Sequence, residues 1–157
     1  MKKTILTTAA ILVVNLFYGQ WTTNNYVDDF GEPTENSYDV MITDGTFSNS
    51  ATQNSKLSLK FINNKKDESL LIYVYEYGSK LANDIEGNFE TVRLKDPEGI
   101  VHTLNKVFFA KSGVLLISKE NYKKISNALI KKGNFMIIFN RTTKYSTSSY
   151  KSKFIIN

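Results

Sequence analysis

The chain has 157 residues, 41% of them hydrophobic and 22% charged, with a formal net charge of +5 and no cysteine. That length holds one domain and little more. Without cysteine there is no disulfide scaffold, thiolate metal centre, iron–sulfur cluster or cysteine nucleophile, and His102 alone cannot build a multi-histidine site.

Residues 1–19 read as a signal peptide. Lys2 and Lys3 give a positive start, and Ile5 to Tyr18 is nearly uncharged and mostly apolar. Thr7, Thr8 and Asn15 interrupt the stretch, which is too short and polar to span a bilayer. A cut before Gln20 places small Gly19 at the leader's last position. The rest, 20–157, is expected to be one domain in the periplasm or outside the cell, not membrane-spanning once the leader is removed.

Strands dominate this domain. Trp21 to Tyr26 opens it, and the acidic stretch from Asp28 to Glu35 reads as a loop. Tyr38 to Thr43 alternates as a strand, and Asp44-Gly45 signals a turn. Thr46 to Ser55 is small and polar. Lys56 to Ile62 alternates, with Leu57, Leu59 and Phe61 inward, and 63–67 forms a hairpin loop. Leu70 to Tyr77 is the strongest strand, with Leu70, Ile72 and Val74 on one face and Leu71, Tyr73, Tyr75 and Tyr77 on the other. A polar connection covers Gly78 to Asn88. Phe89 to Lys95 pairs back through the Asp96-Pro97-Glu98-Gly99 turn with Ile100 to Leu104. Short strands at Val107 to Phe109 and Val114 to Ile117 come next.

One helix is predicted over Lys119 to Lys132. Ser118 caps it, Gly133 stops it, and Tyr122, Ile125, Ala128 and Leu129 form its apolar stripe. Asn134 to Asn140 is a buried strand and Tyr150 to Ile156 the last one. The fold class is therefore all-β: an antiparallel β-sandwich, or a barrel-like closure of it, with one short α-helix near 119–132.

Charge is unevenly spread. Residues 20–62 carry six acids and two lysines, whereas residues 121–157 carry eight bases and no acid. Either the two ends neutralise each other, or the last third forms a basic face for an anionic partner.

Asp29-Phe30-Gly31-Glu32-Pro33-Thr34, Gly45-Thr46-Phe47-Ser48-Asn49-Ser50-Ala51-Thr52 and Tyr75-Glu76-Tyr77-Gly78 form a distinctive set. With Trp21 and the leader ending in Tyr18-Gly19-Gln20, this resembles a group of small, uncharacterised secreted β-sandwich proteins of Bacteroidota-type bacteria. The resemblance covers most of 21–155 and departs at Glu35-Asn36, where a glycine is expected. It implies a fold and a location but no activity, so no catalytic residue is carried over.

Candidate chemistry is sparse. The acids Asp28, Asp29, Glu32 and Glu35 could meet calcium, but they lack the spaced ligand ladder of an EF-hand and read as a solvated loop. His102 has no nucleophile motif to serve. Glu76 continues the Ile72 and Val74 face and, if buried, needs a partner. The stretch Gly45 to Ser55 lacks the lysine of a phosphate-binding loop. The candidate ligand-binding residues are Tyr73, Tyr75 and Tyr77, whose flat amphipathic rings suit a sugar or a protein partner; packing within the sheet is the alternative.

The expected function is a non-catalytic binding or interaction module of the cell envelope. Its partner is a protein or glycan of unknown identity, with no nucleic acid, cofactor, metal or catalytic residue assigned. Two alternatives stand beside it. One is a small glycan-active enzyme using a carboxylate pair. The other is an electrostatic binder of anionic envelope polymers through the basic last third.

Overall fold

The computed structural model describes residues 19–81 and 87–157. The predicted leader up to Tyr18 and part of the predicted Gly78 to Asn88 connection lie outside the described residues.

Among the described residues, ten strands form one antiparallel sheet: β1 (Thr22–Val27), β2 (Pro33–Ser48), β3 (Ser55–Asn64), β4 (Ser69–Glu76), β5 (Ser79–Lys80), β6 (Asn88–Lys95), β7 (Val101–Ala110), β8 (Val114–Ile117), β9 (Gly133–Thr142) and β10 (Thr147–Ile156). The order is β1-β2-β10-β9-β6-β7-β8-β4-β3, and β3 returns to pair with β2. The sheet thus closes into an eight-stranded barrel, with β1 lying outside the ring along β2 and β5 along β4.

This corrects the sandwich expectation in favour of barrel-like closure. Closure is possible because β2 is 16 residues long and is paired on both edges. One edge takes β3 from Asp39↔Asn63 to Phe47↔Ser55; the other takes β1 along Pro33 to Val40 and β10 along Gly45 to Ser48. The Asp44-Gly45 pair is likewise not a turn. Gly45 lies mid-strand, where a Cβ would fall 1.9 Å from the Lys153 carbonyl oxygen, so the missing side chain lets β2 and β10 approach.

Residues Val101–Ala110 form one bent strand where two were expected. Leu104 and Val107 both turn inward although three residues separate them, because Asn105 and Lys106 form a bulge with Lys106 at φ 54°. The bulge carbonyl of Asn105 accepts a 2.6 Å hydrogen bond from Asn121 Nδ2. Asn121 belongs to α1 (Lys119–Ile125), shorter than the predicted 119–132. Beyond Ile125 the chain continues as hydrogen-bonded turns to Lys131, and Ile125, Ala128 and Leu129 still pack inward. Ser126 and Asn127 are poor helix formers, which favours this break. Ser118 occupies the cap position without a side-chain cap bond.

The barrel interior is filled, not hollow. Trp21, Phe61, Phe154 and Phe135 make ring contacts in sequence, with centroids 6.2, 5.3 and 5.3 Å apart. A second stack joins Phe47, Tyr150, Phe139 and Phe109 at 5.2, 5.4 and 5.9 Å. Trp21 also donates through Nε1 to the Leu129 carbonyl at 3.1 Å, tying the start of β1 to the turns after α1. Gly19, the last residue of the predicted leader, meets the Ile42 carbonyl through its N–H and accepts from Asn157 N–H, contacts that a cut before Gln20 would remove. Outward positions carry Lys56, Lys95, Lys151 and Lys153.

Candidate functional site

The β6–β7 turn is built around Asp96, whose side chain is 0% exposed. Its Oδ1 accepts the N–H groups of Glu98 and Ile100, at 3.0 and 2.9 Å. Its Oδ2 lies 2.9 Å from Lys131 Nζ and 3.3 Å from His102 Nε2. Lys131 also reaches Glu98 at 2.8 Å, so one ammonium bolts the turn to the segment after α1. Burial alone would raise the Asp96 pKa, but Lys131, the Ile100 N–H and His102 outweigh it and hold the carboxyl down at about 2. His102 is thereby accounted for by a structural lock.

A depressed carboxylate pKa stabilises the fold above the unfolded value near 3.8, and that contribution fades as pH falls toward 2. Asp96→Asn is therefore expected to lower the Tm at pH 7, with the gap to wild type narrowing steadily between pH 4 and 2. Thermal melts across that range check it; a constant gap would deny the lock.

Beside this turn lies an open groove of about 730 Å³ on the outer wall of the barrel. Gly45, Phe154 and Phe135 contribute to its lining, Pro97 and Glu98 flank it, and Lys95, Lys153 and Met136 line it as well. The lining carboxylates are committed: Asp44 accepts from Ser58 Oγ, Glu98 pairs with Lys131, and Asp96 is locked.

Strand register extends this region into an ordered patch. Lys153 on β10 faces Met136 on β9, which faces Lys95 on β6. Two residues along, Lys151, Ile138 and Arg93 repeat the pattern. The four cations are exposed and the two aliphatic side chains half-buried. Strand spacing puts the flanking cations of each row about 10 Å apart at the backbone, and the rows about 7 Å apart. Among the described residues, none of the four is ion-paired.

The two charged ends of the chain do lie side by side, since β2 pairs with β10, but among the described residues no lysine of 121–157 forms an ion pair with an acid of 20–62. Among the described residues, the lysines of 121–157 that form ion pairs reach Glu68, Glu120, Asp96 and Glu98, none of them in 20–62.

Tyr73 and Tyr75 project outward from β4, half-buried. Lys80 Nζ sits 5.6 Å from the Tyr73 ring centroid and occupies that face of the ring. Tyr77 lies just past the strand at φ 50°, is 66% exposed, and touches Phe47 edge-on at 6.2 Å. The stripe is thus a line of two with the third residue turned aside. Glu76 is half-buried at the barrel mouth and accepts a 3.3 Å hydrogen bond from Tyr150 Oη. Burial first, then the neighbouring Glu76 carboxylate, push the Tyr150 phenol above its usual range.

Asp28 is used by its own turn: its Oδ1 accepts the N–H groups of Phe30 and Glu32, each at 2.9 Å. Among the described residues, no group of three or more histidine or carboxylate side chains is gathered to hold a metal ion. No described helix is long and apolar enough to cross a membrane. No family model, no curated protein and no solved structure matches the chain.

Proposed function

We propose that the chain is an exported, non-catalytic binding module of the cell envelope, and that its working surface is the outer face of β10, β9 and β6, which takes an anionic partner. The observation that carries this reading is the pair of cation–aliphatic–cation rows, Lys153–Met136–Lys95 and Lys151–Ile138–Arg93. Four like charges held by register, and among the described residues without an ion-pair partner, repel one another and maintain a standing positive field. A bound anion relieves that repulsion, and the half-buried aliphatic centre adds apolar contact.

The leader-like start of the chain supports export. A packed apolar interior with lysines on the outer wall is the reverse of a membrane-spanning barrel, whose outer band is apolar. A glycan-cleaving carboxylate pair needs one member protonated as the acid. Asp96, held at about 2 and enclosed, is unsuited to that role.

Binding to sulfated dextran in a salt series tests the reading. Affinity is expected to fall at least roughly tenfold between about 50 and 300 mM salt, as screening of exposed charges requires. Salt-independent binding, or none, would overturn it.

A further inference from the structure

We infer that the anionic partner of this face is the acidic β1–β2 arm of a second copy of the chain, docked head to tail. This rests on the proposed working surface and names its occupant.

The arm reaches beyond the barrel: its base meets the β3–β4 turn, where Asn36 accepts from Lys66 Nζ at 2.8 Å and Tyr26 Oη from Asn64 Nδ2 at 3.3 Å, and its tip beyond them is exposed. From Thr22 to Val27 and from Pro33 to Ser37 the two strands pair only with each other. Residues 23–33 are exposed without interruption. An isolated two-stranded ribbon is marginal in water and normally needs a surface to pack on. At its tip, Phe30 is 91% exposed, between Asp28, Asp29 and Glu32. The tip is nevertheless rigid, because Asp28 accepts two backbone N–H groups through its side chain and Gly31 N–H through its carbonyl. It presents one aromatic knob ringed by carboxylates.

The groove beside Lys95 and Lys153 is its complement. It is open, about 730 Å³, with Met136 and Ile155 among its lining and unpaired ammonium groups at its edge. A phenyl ring fits that volume; of the groove's own carboxylates Asp96 and Glu98 are held by Lys131 and Asp44 accepts from Ser58, so Lys95 and Lys153 are the lining charges left for the tip's carboxylates to meet. The arm cannot serve its own groove. Pro33 and Gly45 lie on the same continuous strand, about 40 Å apart at strand rise, and the ladder holds the arm pointing away. Knob and groove are different surfaces, so the contact is heterologous and propagates into chains or rings unless its geometry closes early.

The test is sedimentation velocity on the purified full chain over a concentration series at low salt, with sulfated-dextran binding measured in parallel. Wild type is expected to grow from monomer through dimer to longer species. Phe30→Ala, and separately the pair Lys95→Glu and Lys153→Glu, are expected to weaken this at least tenfold while leaving the Tm unchanged, since all three residues are exposed. Mixing the two variants is expected to restore dimers that grow no further, because each contributes one intact half. A wild type that stays monomeric while still binding sulfated dextran would overturn this inference and leave the working surface standing. Loss of both would overturn the two together. Self-association untouched by both variants would overturn the arm-in-groove contact.

Discussion

Phe154→Ala is expected to destabilise the protein by about 3 to 5 kcal/mol, the range for removing a buried aromatic ring from a packed core. Phe154 is 2% exposed and lies between Phe61 and Phe135, with both ring centroids at 5.3 Å. It is also the residue opposite Gly45 at the β2–β10 seam, so its ring packs where the barrel closes. Truncation removes contacts to both neighbours and leaves a cavity that the surrounding strands cannot collapse around without breaking register. Phe154→Leu refills much of the volume and should recover more than half of the loss. Denaturant unfolding of the three proteins measures this; a Phe154→Ala loss below about 1 kcal/mol would mean the seam is not tightly packed.

Gly45→Ala adds one methyl group and is expected to cost about 3 kcal/mol or more, at or above the upper end for overpacking. The added Cβ would lie 1.9 Å from the Lys153 carbonyl oxygen and 3.0 Å from its carbon. Both are backbone atoms of a paired strand, so no rotamer change relieves the clash. β2 and β10 must part, and the barrel opens at its seam. For a domain of this size that corresponds to a Tm drop of about 10 °C. An unchanged Tm would show that the two strands do not approach so closely. The same substitution distorts the groove floor, so it should also weaken binding to the outer face.

The strands with a buried face were legible because the side-chain period of two is written in residues such as Leu57, Leu59 and Phe61. The Asp96 to Gly99 turn was legible for the same kind of reason, since proline and glycine act locally. The way the barrel closes was not legible. It depends on β2 pairing with β10 and β3 at once, and nothing local in Asp44-Gly45 distinguishes a turn glycine from one that admits a neighbouring backbone. The bulge at Lys106 hid a continuous strand, because it shifts the inward set from Leu104 to Val107 and breaks the alternation. The helix was overextended because its apolar stripe continues through Ala128 and Leu129, which turns can bury as well as a helix can.

The proposed binding face was half visible. Lys151 and Lys153 stand in the basic last third and alternate as outward residues should. Arg93 and Lys95 are distant in sequence and join them only through the short β6–β9 pairing, Arg93↔Ile138 to Lys95↔Met136. The tyrosines were the more conspicuous signal in the sequence. In the fold, Lys80 covers one face of Tyr73, and Tyr77 leaves the line.

The comparison that decides between these surfaces is equilibrium binding to sulfated dextran at low salt. Wild type would be set against a variant with Arg93, Lys95, Lys151 and Lys153 all changed to glutamine, and a variant with Tyr73 and Tyr75 changed to alanine. The cation variant is expected to lose at least tenfold in affinity and the tyrosine variant less than twofold. Unchanged binding by the cation variant, with loss in the tyrosine variant, would contradict the assignment of the working surface to β10, β9 and β6.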